Sequence, residues 1–102
     1  MNTKSYNVSV KRKSINVTRA HKGGYFMTKV KIKLDSIASV KKFVNVVTMY
    51  EFDVDLVSGR YAVDAKSIMG IFSLDLSNSI ELLAHTDDAE AFLAEIKEFI
   101  VD

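Results

Sequence analysis

The stretch Val63-Asp64-Ala65-Lys66-Ser67-Ile68-Met69-Gly70-Ile71-Phe72-Ser73-Leu74 leads a strand into a short helix through a serine. Val63 closes an alternating apolar run, whereas Ile68, Met69, Ile71 and Phe72 fall at helical spacing, so the periodicity changes within a few residues. Ser67 stands at the change. Its hydroxyl is free to accept a hydrogen bond from an amide of the first helical turn, as an N-cap does. Ser77-Asn78-Ser79 then marks a turn, and Ile80, Leu82 and Ala84 alternate as a further strand.

Upstream, Phe52-Val54-Leu56 and Tyr61-Val63 form a hairpin around Ser58-Gly59. A two-residue loop there sets Val57 opposite Arg60, Leu56 opposite Tyr61 and Val54 opposite Val63. Before it, Ile37, Val40, Phe43, Val44, Val47 and Tyr50 recur at helical spacing with Lys41, Lys42 and Asn45 on the other side, which predicts a helix near 37–50 capped by Asp35 or Ser36. Val30, Ile32 and Leu34 alternate with Lys29, Lys31 and Lys33 as a strand with one wet face. At the far end, Asp87 and Glu90 approximate a capping box for a last helix. Its buried stripe is Ala89, Leu93, Ile96 and Ile100, flanked by Phe92 and Phe99. The order from Met27 is βαββαβα, and a four-stranded antiparallel sheet with its three helices on one face is the α+β solution.

Charge divides the chain. Residues 1–26 carry Lys4, Lys11, Arg12, Lys13, Arg19 and Lys22 with no acid, while the remainder holds the other eight basic residues and all thirteen acids. The domain division is therefore a basic leader, 1–26, and a folded domain, 27–102. The leader admits several readings: an arm for nucleic acid, a transit peptide, a disordered tail, or a weak strand pair from Tyr6-Val8-Val10 and Ile15-Val17. One more is sharper. Lys22-Gly23-Gly24-Tyr25-Phe26-Met27 can be encoded AAA GGA GGA TAT TTT ATG, a ribosome-binding string spaced before a start codon. Met27 is then the expected start, with nucleic acid not expected as a partner.

The chain has no cysteine, which removes disulfides, zinc-thiolate sites and a thiol nucleophile. No metal or cofactor site is expected. The apolar runs are short of a membrane span and no secretory h-region opens the chain, so a cytoplasmic protein away from membranes is the expectation.

Lys66-Ser67-Ile68-Met69-Gly70 followed by Ser73-Leu74, in a βαββαβα order over about residues 28–100, resembles HPr, the histidine-containing phosphocarrier of the bacterial sugar phosphotransferase system. The resemblance implies an open-faced sandwich with sheet order 1-4-2-3. It also implies a phosphoryl-accepting histidine at the start of the first helix, followed closely by arginine and proline. Aligned on Phe52, that place holds Ile37, Ala38, Ser39 and Val40, and the two histidines, His21 and His85, lie elsewhere. Imidazole suits phosphoryl relay because it is partly neutral near pH 7 and its phosphorylated form stays reactive. Asp35 offers an acyl phosphate instead, and Ser36 or Ser39 a stable ester. Helix capping is the simpler role for these three. His85, following the last strand, is expected on the surface at the opposite end of the sheet.

In the family the serine matching Ser67 is phosphorylated by an ATP-dependent HPr kinase, and the product binds a transcription regulator in carbon catabolite control. Ile68, Met69 and Phe72, with Lys66 beside them, match the surface through which HPr meets its partners. Half-buried core packing is the plain alternative for Ile68 and Phe72. Arg60, Asp64 and Asp75 are candidates for its rim. The expected function is a non-catalytic regulatory or binding protein, controlled at Ser67. The alternatives are a phosphocarrier with an unusual acceptor and a structural partner-binding domain in which Ser67 is only a cap.

Overall fold

The computed structural model describes residues 2–10, 13–22 and 25–101; Lys11, Arg12, Gly23 and Gly24 of the basic segment lie outside them. In chain order the elements are β1 (Asn2–Val10), β2 (Lys13–Lys22), β3 (Tyr25–Ile32), α1 (Ile37–Val47), β4 (Val54–Ser58), β5 (Tyr61–Asp64), α2 (Ile68–Phe72), β6 (Ile80–Ala84), α3 (Glu90–Glu95), a 3-10 turn (Lys97–Phe99) and β7 (Ile100–Val101). The strands lie in the order β1-β2-β3-β6-β4-β5, with β7 also paired to β3, and every pair is antiparallel.

The inner run β3-β6-β4-β5 is the 1-4-2-3 order implied by the resemblance. The sheet as a whole has seven strands, however, and not the four expected. Two sources supply the rest. Tyr6 and Val8 of β1 stand opposite Val17 and Ile15 of β2, so the apolar residues of that hairpin share one face. Ile15 and Val17 are 0% and 1% exposed within the core, with Tyr6 and Val8 packed against it. At the other terminus Ile100, expected on the last helix, pairs with Ile32 as a strand residue. Phe99 sits edge-on to Phe43 at 5.7 Å, and the intervening 3-10 turn lets both Phe99 and Ile100 face the core.

Alternation sets the two faces of the sheet. Val30, Ile32, Val54, Leu56, Ile80, Leu82 and Ala84 point into a core completed by Val40, Phe43 and Val47 of α1, Ile71 of α2, and Phe92 and Leu93 of α3. The β4–β5 register differs from the expected one by two positions. Ser58 faces Tyr61, Val57 faces Ala62 and Leu56 faces Val63. The loop is therefore Gly59-Arg60, because the first central residue takes φ +59°, a conformation that glycine adopts without strain. A shift of two residues keeps each side chain on its face. Tyr61 nevertheless moves to the rim, where it is 73% exposed.

The expected capping box of the last helix does not form. Ala89 is the N-cap of α3 and gives no side-chain hydrogen bond. The Thr86 hydroxyl takes the Asp88 amide at 3.1 Å, and Arg19 Nη2 donates to the Asp87 carbonyl at 2.7 Å, so the polar groups before α3 serve the preceding loop and β2 instead.

Candidate functional site

The mouth of α1 is built by two serines. Ser36, in extended backbone, is the N-cap. Its hydroxyl accepts the Ser39 amide at 3.0 Å, the Ser39 hydroxyl accepts the Ser36 amide at 3.1 Å, and the same Ser39 hydroxyl donates to the Ser36 carbonyl at 2.8 Å. This reciprocal capping satisfies amides that would otherwise face solvent unpaired. Ile37, counted into the buried stripe by its spacing, is instead 64% exposed, because the first residue of α1 lies at the end of the helix beyond the core.

Neither histidine is near this mouth. β3 runs into α1 from Ile32, which pairs with Ile80 at the start of β6. His85 follows the other end of β6, and from the Thr28–Ala84 rung to the Ile32–Ile80 rung the ladder is about 13 Å long. His85 Nε2 meets Asp55 Oδ2 at 2.8 Å, and its amide donates to the Asp53 carbonyl at 2.9 Å. His21 stands opposite Phe26 near the beginning of β3, again away from the α1 mouth. Arg60 is at the tip of the β4–β5 hairpin, at the same end of the sheet as the α1 mouth, with β6 and β4 standing between β3 and β5. Lys33, which leads into α1, directs its ammonium at the Leu76 and Ser77 carbonyls. Among the described residues, the side chains that bond at the α1 mouth are the two serine hydroxyls.

The second half of the site is α2. Ser67 is its N-cap, and the hydroxyl accepts the Gly70 amide at 3.1 Å. A Cβ on Gly70 would lie 3.2 Å from both Ser67 Oγ and Val63 Cβ, so the close approach of helix to strand relies on glycine. The Asp64 carboxylate accepts the Lys66 amide at 2.8 Å, which bends the chain out of β5, and Lys66 Nζ donates to the Tyr50 carbonyl at 2.9 Å just beyond the end of α1. Ser67→Ala removes the cap and lowers stability by about 1 kcal/mol. A shift of the urea midpoint without a change in slope is the expected readout.

The residues of the expected partner surface separate. Ile68 is half-buried and packs on the core, whereas Met69 is 76% and Phe72 41% exposed. Ile37 and Met49 are exposed apolar residues that spacing alone assigned to, or left out of, the buried face; helix ends are where periodicity stops reporting burial. Among the rim residues, Asp75 is held below the usual carboxylate range, first by the Ser77 hydroxyl and then by the Ser77 amide, with Asn78 and Lys33 adding. Among the described residues no group of three or more histidine, cysteine, aspartate or glutamate side chains is arranged to hold a metal ion. Among the same residues no helix is long and apolar enough to cross a membrane.

The sheet order, the helices on one face and the serine-capped α2 define an open-faced α+β sandwich of the phosphocarrier class. Residues 29–102 match the family model described as "PTS HPr component phosphorylation site". The chain belongs to the HPr family of the phosphotransferase system, a phosphocarrier family. It is similar to the crystal structure of HPr-C-His from Thermoanaerobacter tengcongensis, with 29% identity and a TM-score of 0.54 over 68% of this chain and 92% of that one. Among curated proteins no relative matches. The family match begins beyond the β1–β2 hairpin.

Proposed function

We propose that this HPr-family domain no longer relays phosphoryl groups through histidine and acts as a regulatory or binding protein of the bacterial cytoplasm, controlled by phosphorylation of Ser67. The observation that carries the first half is the Ser36–Ser39 capping pair at the mouth of α1. A phosphoryl relay needs an acceptor whose phosphorylated form transfers onward readily, and a serine ester does not meet that need. His85 is held by Asp55 on the other side of the molecule.

The second half rests on Ser67. Its side chain is exposed, beside Lys66 and between the strand and the exposed Met69 and Phe72. A phosphate there adds about −1.5 to −2 charges next to helix amides, which tolerate it, and changes what a partner meets. The partners are then HPr kinase and a transcription regulator of carbon catabolite control. A second reading, a partner-binding domain in which Ser67 only caps α2, is favoured by the bond to the Gly70 amide. Incubation with ATP and HPr kinase separates the two. Acid-stable label on the chain and its loss in Ser67→Ala supports control at this serine. An unlabelled chain beside a labelled HPr control leaves the cap alone.

A further inference from the structure

The outer edge of β3 is shared between two strands. β2 pairs with it up to the Thr18–Lys29 rung, and β7 takes over at Lys31 and Ile32. Before that rung β2 continues beside β1, whose ladder reaches Val10–Lys13, without a further rung to β3. The sheet forks there. A groove of about 560 Å3 opens in the fork, with Asn7, Asn16, Thr18, Lys29, Lys31 and Glu81 among its lining. By alternation these side chains belong to the face that the helices leave open.

The chemistry of the lining is specific in kind. Past the fork, β2 has backbone amides and carbonyls along 14–17 with no strand partner on the β3 side among the described strands, and such groups require a hydrogen-bonding occupant or water. Asn16 Nδ2 donates to Asn7 Oδ1 at 3.4 Å, which leaves the second Asn16 Nδ2 proton and both protons of the Asn7 side-chain amide to other acceptors. The Thr18 hydroxyl shares one bond with Ser5 at 3.0 Å and keeps further capacity. Rows of amide and hydroxyl groups suit vicinal hydroxyls. Lys31 has no hydrogen bond or ion pair within the described residues, and Lys29 meets Glu81 only at 3.7 Å with both side chains over two-fifths exposed, so the described lining sets two ammonium groups against one carboxylate. A long polyanion fits poorly. Beyond Glu81 the same face carries Asp55 and Asp64, opposite one another on β4 and β5. The volume is that of a small-molecule site.

We propose that the fork binds a small polyhydroxylated anion, a sugar phosphate or a sugar acid, with Lys31 and Lys29 taking the anion and Asn7, Asn16 and Thr18 the hydroxyls. The test is amide-resolved NMR titration of the full chain with D-ribose 5-phosphate, D-gluconate, D-ribose and inorganic phosphate. Saturable shifts at Asn16, Thr18 and Lys31 with ribose 5-phosphate or gluconate, at least tenfold tighter than with ribose or phosphate, support it. The tighter of the two names the anion. Lys31→Ala is expected to weaken that binding tenfold or more while the thermal midpoint stays unchanged. Binding equal to that of inorganic phosphate, binding indifferent to Lys31→Ala, tighter binding of a ribo-oligonucleotide at the same residues, or no saturable shift there overturns it.

Discussion

Phe92→Ala is expected to lower the free energy of unfolding by about 3–5 kcal/mol, the usual loss for truncating a fully buried aromatic ring. Phe92 is 1% exposed and meets two rings edge-on, Tyr50 at 5.1 Å and Phe52 at 5.3 Å. Tyr50 and Phe52 are themselves 5.4 Å apart, so one truncation opens a three-ring cluster that ties α3 to the chain between α1 and β4. A second signal accompanies the first. Burial, with a smaller contribution from the Glu95 carboxylate, raises the Tyr50 hydroxyl above the ordinary 10.0. A raised folded value leaves stability intact below the unfolded one and removes it as pH rises from there through the folded one. The stability curve of the parent protein therefore falls above about pH 10, and Phe92→Ala, by wetting Tyr50, makes that alkaline fall shallower. Denaturant titrations across pH 8 to about 11 check both effects. A loss under about 1 kcal/mol would mean that the ring cluster is not the packed unit described.

Ile15→Ala is expected to cost about 2–5 kcal/mol, because Ile15 is wholly buried in the same core as Ile32 and Ile100. Removing residues 1–26 should cost more still. It uncovers the outer edge of β3 and the groove beside α3, where Tyr6, Val8 and Val17 face Ala89 and Leu93. An open strand edge also invites pairing between copies, so the shortened chain is expected to associate as its concentration rises. A shortened chain with the parent's thermal midpoint and a monomeric mass contradicts the docking of the hairpin. Whether a cell makes these residues is a separate question. Under the leader reading the protein isolated from its own cell begins at Met27 or Thr28, and an N-terminus at Met1 or Asn2 removes that reading.

The inner architecture was legible because its signals are local and agree with one another. The alternation around Val30, Leu56 and Leu82, the helical stripe through Val40, Phe43 and Val47, and the serine before Ile68 each report their own element, and the family resemblance ordered the strands. What sequence missed has a common physical cause. The pair of Tyr6-Val8-Val10 with Ile15-Val17 was one reading among several, but its alternation is too short to announce burial, which depends on the following β3 and on α3, far along the chain. Ile100 continues the stripe of α3 in periodicity, yet pairs with Ile32 once the chain tightens into a 3-10 turn. At Gly59 the turn type, not the apolar pattern, chose the register, since a shift of two residues satisfies the pattern equally well. In the site, Ser67 as a cap was legible from its place where the strand period ending at Val63 gives way to the helical spacing of Ile68, Met69, Ile71 and Phe72; its partner, the Gly70 amide, came with the structure. The Ser36–Ser39 pair was half legible: each serine was a candidate cap, and only the structure joins them.

The central claim, that no group at the mouth of α1 accepts a phosphoryl group, is tested most directly by incubating the chain with phosphoenolpyruvate, enzyme I and HPr, all three purified, and following acid-labile label. HPr is expected to be labelled within seconds while this chain stays unlabelled, with or without His85→Ala. Rapid acid-labile label on this chain would contradict the account, and its loss in His85→Ala would name the acceptor.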